Sequence, residues 1–441
     1  MIDLMKNRLI ILSALLIIFL AGSLNIQAQR NEWVNQVIVA NGGIYEAPPY
    51  TDFVTVQSYN PVSKTVNVFG TIYTQSVQDV VINGNVAYVA AEDSIVMYNI
   101  DTYQRIAAIA DSGVGIMYFN QNRLIVTKQY PVKHFFVEIL DGSNLALLGF
   151  VQGLSGECGG AIMSQDLLYV AIDSGWQGTR GKLAIINPAA NWQLLNEVDL
   201  GTEAIGIWNL YNYNGYICAV NKTPYGALNQ GSITMYDVNS GTFQNYVFNV
   251  RIGDGYGIKD NLLYVNINDG MGSINLDTHQ IADTNIIPPP SSTGAVVIHA
   301  GTLDYINNEF YLNIGNFSNF GIGVIAALNG DSIGSYATGI NAECIAIDYR
   351  TPASVPNDQL SQNSITISPN PVTDILTLNY SGNTEASEVK IIDLTGKIVY
   401  SQNVTGKVRN FRINCSGLTS GIYLLSVNTG REVVSRKFII K

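Results

Sequence analysis

The chain is 441 residues long, carries a formal net charge of −11, and only 13 % of its residues are charged. An acidic chain without a lysine- or arginine-rich run repels polyanions, which excludes nucleic acid as a partner. Its 41 glycines and 25 tyrosines suit many short strands joined by turns, so an ordered, mostly β protein is expected.

At the start, Lys6 and Arg8 precede an apolar run from Leu9 to Leu20, with small and polar residues following up to Ala28. This reads as a signal peptide over residues 1–28, with an uncleaved anchor as the alternative. No cysteine stands at the cleavage region, which argues against a lipid-anchored form.

From there one short pattern recurs: a turn-forming Asn or Asp, a variable residue, an apolar residue, Tyr or Ile, then an aliphatic residue or Cys. It stands at Asn35-Gln-Val-Ile-Val39, Asn85-Val-Ala-Tyr-Val89, Asn122-Arg-Leu-Ile-Val126, Asp166-Leu-Leu-Tyr-Val170, Asn214-Gly-Tyr-Ile-Cys218, Asn261-Leu-Leu-Tyr-Val265 and Asn308-Glu-Phe-Tyr-Leu312. The spacing is roughly 45 residues, the period of a four-stranded propeller blade. Such a unit cannot bury its own apolar face, so neighbours must stack. In the second repeat the strands are expected at Asp79 to Asn83, Val86 to Ala91, Ser94 to Ile100 and Arg105 to Ala110.

The two ends of the array are complementary. Before Asn35 there is no room for an inner strand, while Glu343 to Tyr349 is an inner strand with no blade after it. Together they complete one blade, giving a seven-bladed β-propeller over residues 29–351, closed by the strand at 343–349. Tyr88-Val-Ala-Ala91, Tyr169-Val-Ala-Ile172 and Tyr264-Val-Asn-Ile267 resemble the Tyr-Val-Thr-Asn repeat of bacterial surface-layer and YncE-like propellers. That resemblance implies a binding protein, some of whose relatives in Bacteroidetes capture corrinoids or other scarce nutrients. It carries over no catalytic set.

Residues 352–364 hold two prolines and a polar tract, and read as a linker. Beyond it, residues 365–441 read as a small immunoglobulin-like β-sandwich. An alternating strand is expected at Ile375 to Tyr380, a hairpin over Val389 to Tyr400, and further strands at Leu418 to Val427 and Lys437 to Lys441. Pro369, Asn370 and Pro371, the turn Asp393-Leu-Thr-Gly396-Lys397, Gly421 and Tyr423 then stand in the order of the type A C-terminal sorting domain of the type IX secretion system of Bacteroidetes. The segment closely resembles that domain. By this resemblance the chain crosses the outer membrane, engages the type IX machinery, and is released or attached to surface lipopolysaccharide.

Cys158, Cys218, Cys344 and Cys415 show no zinc-like spacing, and buried free thiols are expected. Strand parity places the inter-blade connections and the second-to-third-strand loops on one face. Glu157, Glu203, Asp254, His299 and Glu343 are assigned to those connections, and Tyr130, Trp176 and Tyr225 to the loops, with Tyr45, Tyr50, Phe317 and Phe320. An acidic funnel rimmed by rings suits a glycan, a large organic molecule or a peptide. The bland alternative is ordinary loop chemistry, with carboxylates bonding nearby backbone.

No Gly-x-Ser-x-Gly elbow or His-Glu-x-x-His helix is present, no calcium-loop spacing occurs, and no cofactor or metal is expected. His134 and His279 read as structural, leaving His299 as the sole candidate base; Trp208 and Tyr118 read as core. The leading expectation is a secreted or cell-surface binding propeller without catalytic activity. A secreted lyase or hydrolase acting on a polymer, and an adhesion or scaffold protein, are the alternatives.

Overall fold

The computed structural model describes residues 34–44, 46–131, 135–173, 178–224, 230–350, 364–381, 386–393, 397–406, 411–428 and 433–441. The signal segment, His134, Trp176, Tyr225, Gly396 and all but the last residue of the 352–364 linker lie outside the described residues. The chain divides into two compact units, residues 1–351 and 352–441.

Among its described residues, the first unit holds seven four-stranded antiparallel sheets. Blade 2 is typical, with strands Asp79–Asn83, Val86–Ala91, Ser94–Asn99 and Gln104–Ala110 running from inside to outside. Its second strand is buried on both faces and its outermost strand is half exposed, so burial falls outward across the sheet. The turn residue of the repeat is explained by backbone sterics. Asn122, Asp166, Asn214 and Asn308 all adopt positive φ, a conformation that short polar side chains tolerate in tight hairpins. The Tyr of the repeat fills the space between blades: Tyr88 is fully buried and donates its hydroxyl to the carbonyl of Gly142 at 2.6 Å.

Closure occurs in blade 1. Cys344–Asp348 pairs antiparallel with Gln36–Asn41, with Ile345 opposite Val39 and Asp348 opposite Gln36, so chain end and chain start share one sheet. Each innermost strand touches the next around the ring, and the seventh returns to the first. Seven apolar clusters fill the interfaces between successive blades. The cluster of Val37, Val39, Tyr59, Tyr311, Ile325 and Tyr336 joins blade 7 to blade 1. The resulting fold is an all-β, seven-bladed propeller in which no blade is left with an uncovered apolar face. All four cysteines are free and buried.

The second unit stacks a three-stranded sheet containing Ile375–Ser381 with a four-stranded sheet containing Ala386–Asp393, Gly421–Asn428 and Val433–Ile440. Leu376, Leu378, Val389, Ile391, Leu425, Val427 and Phe438 meet between the sheets as its core. This is the small immunoglobulin-like β-sandwich that the alternating pattern predicts. No helix among the described residues is long and apolar enough to cross a membrane.

Candidate functional site

The inner strands carry a local feature that the repeat pattern does not show. In blades 3 to 7 the pairing of the first two strands shifts register near the start of the inner strand, at Val114/Met117, Cys158/Ala161, Ile207/Leu210, Ile252/Gly255 and Ile298/Ala300. A bulge frees a backbone N–H from the ladder, and that donor needs another partner. In blade 3 the Met117 N–H bonds to Asp79 Oδ2 of blade 2 at 2.7 Å. In blade 6 the Gly255 N–H bonds to Asn209 Oδ1 of blade 5 at 2.8 Å. Asp79, Asn209 and Asp254 share one column, each immediately before the residue opposite the second strand's Val89, Ala219 or Val265.

Glu343 lies just ahead of the closing strand. Burial raises its carboxyl to about 7, against the opposing effect of bonds from the Val77 N–H and Asn341. Burial likewise raises Asp79 to about 6, even though it accepts from the backbone of Met117 and Val80. The Cys344 thiol is pushed far up by burial first, then by Asp79, Glu343 and Asp254. Cys158 in blade 4 is raised by burial and then by Asp173, Glu197 and Glu157.

Asp254 and His299 stand on the inner strands Ile252–Lys259 and Val297–Asp304, and not in the inter-blade connections. The bulges are the reason, because they let each strand begin several residues before its regular pairing. Asp254 Oδ1 is 2.5 Å from Lys222 Nζ, and that ammonium lies 4.3 Å from the Trp208 ring centroid. Trp208 is thus half of a cation–π pair, a contact that its reading as core did not anticipate. The His299 ring meets Phe317 edge-on with centroids 4.9 Å apart. Burial lowers its pKa despite a bond to the Gly315 carbonyl, and among the described residues its buried Nε2 has no partner. None of the candidate carboxylates accepts a hydrogen bond from it.

Glu203 is exposed on the short 3-10 turn Thr202–Ala204, and only its backbone carbonyl is engaged, by Ser232. Tyr130 is 83 % exposed in the second-to-third-strand loop of blade 3; Tyr50, Phe317 and Phe320 are exposed in the corresponding loops of blades 1 and 7. Among the described residues no group of three or more His, Cys, Asp or Glu side chains could hold a metal.

In the second unit, Asn370 Oδ1 accepts from the Ile439 N–H at 2.9 Å, and the Val372 N–H bonds to the Ile439 carbonyl at 2.8 Å. Asp393 closes its turn by accepting from the Lys397 N–H at 3.0 Å. Tyr423 donates to the Thr419 carbonyl at 2.8 Å. Gly421 opens the strand that contains Tyr423, and Pro369 and Pro371 flank Asn370. Asn370 and Val372 pin the start of the unit to its final strand. Residues 366–441 match the secretion system C-terminal sorting domain. The tail is a sorting domain. It marks a protein that is secreted or held on the outer cell surface, and it implies the type IX secretion machinery as a partner.

No curated protein matches the sequence. Similar solved structures include PorZ, an essential surface component of the type IX secretion system of Porphyromonas gingivalis. It shows 15 % identity and a TM-score of 0.45 over 92 % of this chain and 58 % of that one. The extracellular domain of a hybrid two-component system of B. thetaiotaomicron gives 13 % identity and a TM-score of 0.48 over 91 % and 56 %. The chain spans a little more than half the length of these two structures.

Proposed function

We propose that this chain is a non-catalytic propeller that binds a ligand on the face bearing its inter-blade connections and second-to-third-strand loops, after export by the type IX system. The observation that carries this reading is the column of Asp79, Asn209 and Asp254 on the inner strands, with the Lys222–Trp208 pair attached to Asp254. Burial raises the Glu343 carboxyl to about 7, and exposed rings at Tyr50, Phe317 and Phe320 offer apolar faces. That chemistry suits a polyhydroxylated or large planar organic ligand, such as a glycan or corrinoid. The YncE-like repeat resemblance supports the same class of role. The mature chain then starts near Gln29 and is either released or kept on surface lipopolysaccharide.

A polymer-cleaving enzyme built on His299 needs a group paired with that ring, and among the described residues its buried Nε2 has no partner. The binding reading is tested by titrating the full chain with glycans, corrinoids and haem. Glu343→Gln and Phe317→Ala should each weaken the bound ligand's affinity about tenfold, and Ile106→Ala, exposed on the outermost strand of blade 2, should not. Unchanged affinity in both loop-face variants removes this face as the site.

A further inference from the structure

The outer rim carries a second, unrelated feature. The outermost strand of blade 3 is only four residues, Leu147–Phe150, while that of blade 4 is nine, Gln193–Gly201. A short strand beside a long one leaves a notch, and a cavity of about 470 Å³ occupies it. Its floor is open at Gly149, where an added Cβ would meet nothing within 4 Å. One wall is built by the turn Pro188–Ala190, capped by Asn187 at 3.0 Å to the Ala189 N–H. That turn runs into Asn191 and Trp192, both left-handed at φ 55° and 59°. A left-handed tryptophan is strained, and such strain persists where the surroundings over-determine a geometry. Trp192 is held by packing on the core shared by blades 3 and 4, and it also lines the cavity.

The remaining lining is chemically selective. Gln152, Asn191 and Gln193 present exposed amides with no hydrogen-bond partner among the described residues, and Leu148, Phe150 and Leu194 supply apolar surface. Among the described residues, no charged one lines the cavity. An indole beside free amides, without charge, matches a neutral sugar: the ring's C–H face stacks on the aromatic plane and the amides bond its hydroxyls. We infer that this rim notch is a binding site for a neutral oligosaccharide, separate from the loop face around the channel.

The test uses the full chain and neutral hexasaccharides of β-1,4-linked glucose, mannose and N-acetylglucosamine, with a uronate hexamer and a proline-rich peptide as competitors. Binding is followed by calorimetry and by tryptophan fluorescence. At least one neutral sugar should bind. Its affinity should fall about tenfold in Trp192→Ala and several-fold in the surface double variant Gln152→Ala/Gln193→Ala, whose folding is not at risk. Ile106→Ala, exposed on the outermost strand of blade 2 and outside the cavity, should leave it unchanged, and the dependence on Trp192 distinguishes this site from the proposed channel-mouth site. Failure of every neutral sugar to bind overturns the inference. So does binding that survives both rim variants, or a preference for the uronate or the peptide at the same residues.

Discussion

Asp79 reaches across the boundary between blades 2 and 3 to accept the Met117 N–H at 2.7 Å, while its other oxygen accepts from the Val80 N–H at 2.8 Å. The first bond caps a donor released by the blade 3 bulge, so the carboxyl links the blades as well as adding charge near the channel. Asn209 repeats the device for Gly255. Replacing Asp79 by Ala leaves a partly buried N–H without its acceptor and should cost about 1–3 kcal/mol, read from the urea midpoint of unfolding. A loss below a few tenths would show that water replaces the carboxyl freely.

Ring closure depends on Asp348, which is 1 % exposed. It accepts from Asn35 Nδ2 at 2.9 Å and Gln36 Nε2 at 3.3 Å in the first strand, and from Arg350 at 2.7 Å. Arg350 continues to Asp101 of blade 2. Asp348→Ala strands a guanidinium and two amides, so about 3 kcal/mol of stability should be lost. Because the clasp joins the two ends of the ring, proteolysis should also begin near residue 344 in the variant. Wild-type resistance there would contradict the clasp.

The raised carboxyls give a pH dependence of definite sign. Asp79 and Glu343 hold protons more tightly when folded, at about 6 and about 7 against ordinary values of 3.8 and 4.5. Their stabilising contribution is therefore complete below those ordinary values and disappears as pH rises through the folded ones. Between pH 5 and 8, Glu343→Gln should lose less melting temperature than the wild type. Parallel profiles would place the Glu343 carboxyl in solvent.

The sorting tail makes a prediction for the cell. Removing residues 366–441 should leave the propeller folded but absent from the medium and the outer surface, as read by fractionation and surface proteolysis. Tyr423→Ala, which deletes a buried ring and its bond to Thr419, should lower surface display by destabilising the tail. Normal display of the truncated chain would contradict the role of the tail.

The ring was readable because each blade repeats its turn residue and its buried Tyr or Ile, and because the orphan strand around Ile345 matches the missing strand before Asn35. The strand bounds in blade 2 agree to within a residue. Asp79 went unnoticed as a site residue because its surroundings come from Met117, 38 positions away. Setting the repeats in structural register would have exposed the column of Asp79, Asn209 and Asp254. Asp254 and His299 were assigned to loops because nothing in a single sequence marks a bulge. The left-handed Trp192 is likewise invisible in the residues alone, since Asn-Trp gives no signal for positive φ.

The most direct measurement is the melting temperature of the purified chain against glycans, corrinoids, haem and divalent metals. A ligand that binds only the folded state adds about 2.7 kcal/mol at a hundredfold excess over its Kd, a rise of a few degrees. The account predicts such a rise with a glycan or corrinoid, diminished by Glu343→Gln or Asp254→Asn. A panel without any shift, in a chain that still mediates adhesion to other cells, would contradict a small-molecule site and favour a protein-binding surface.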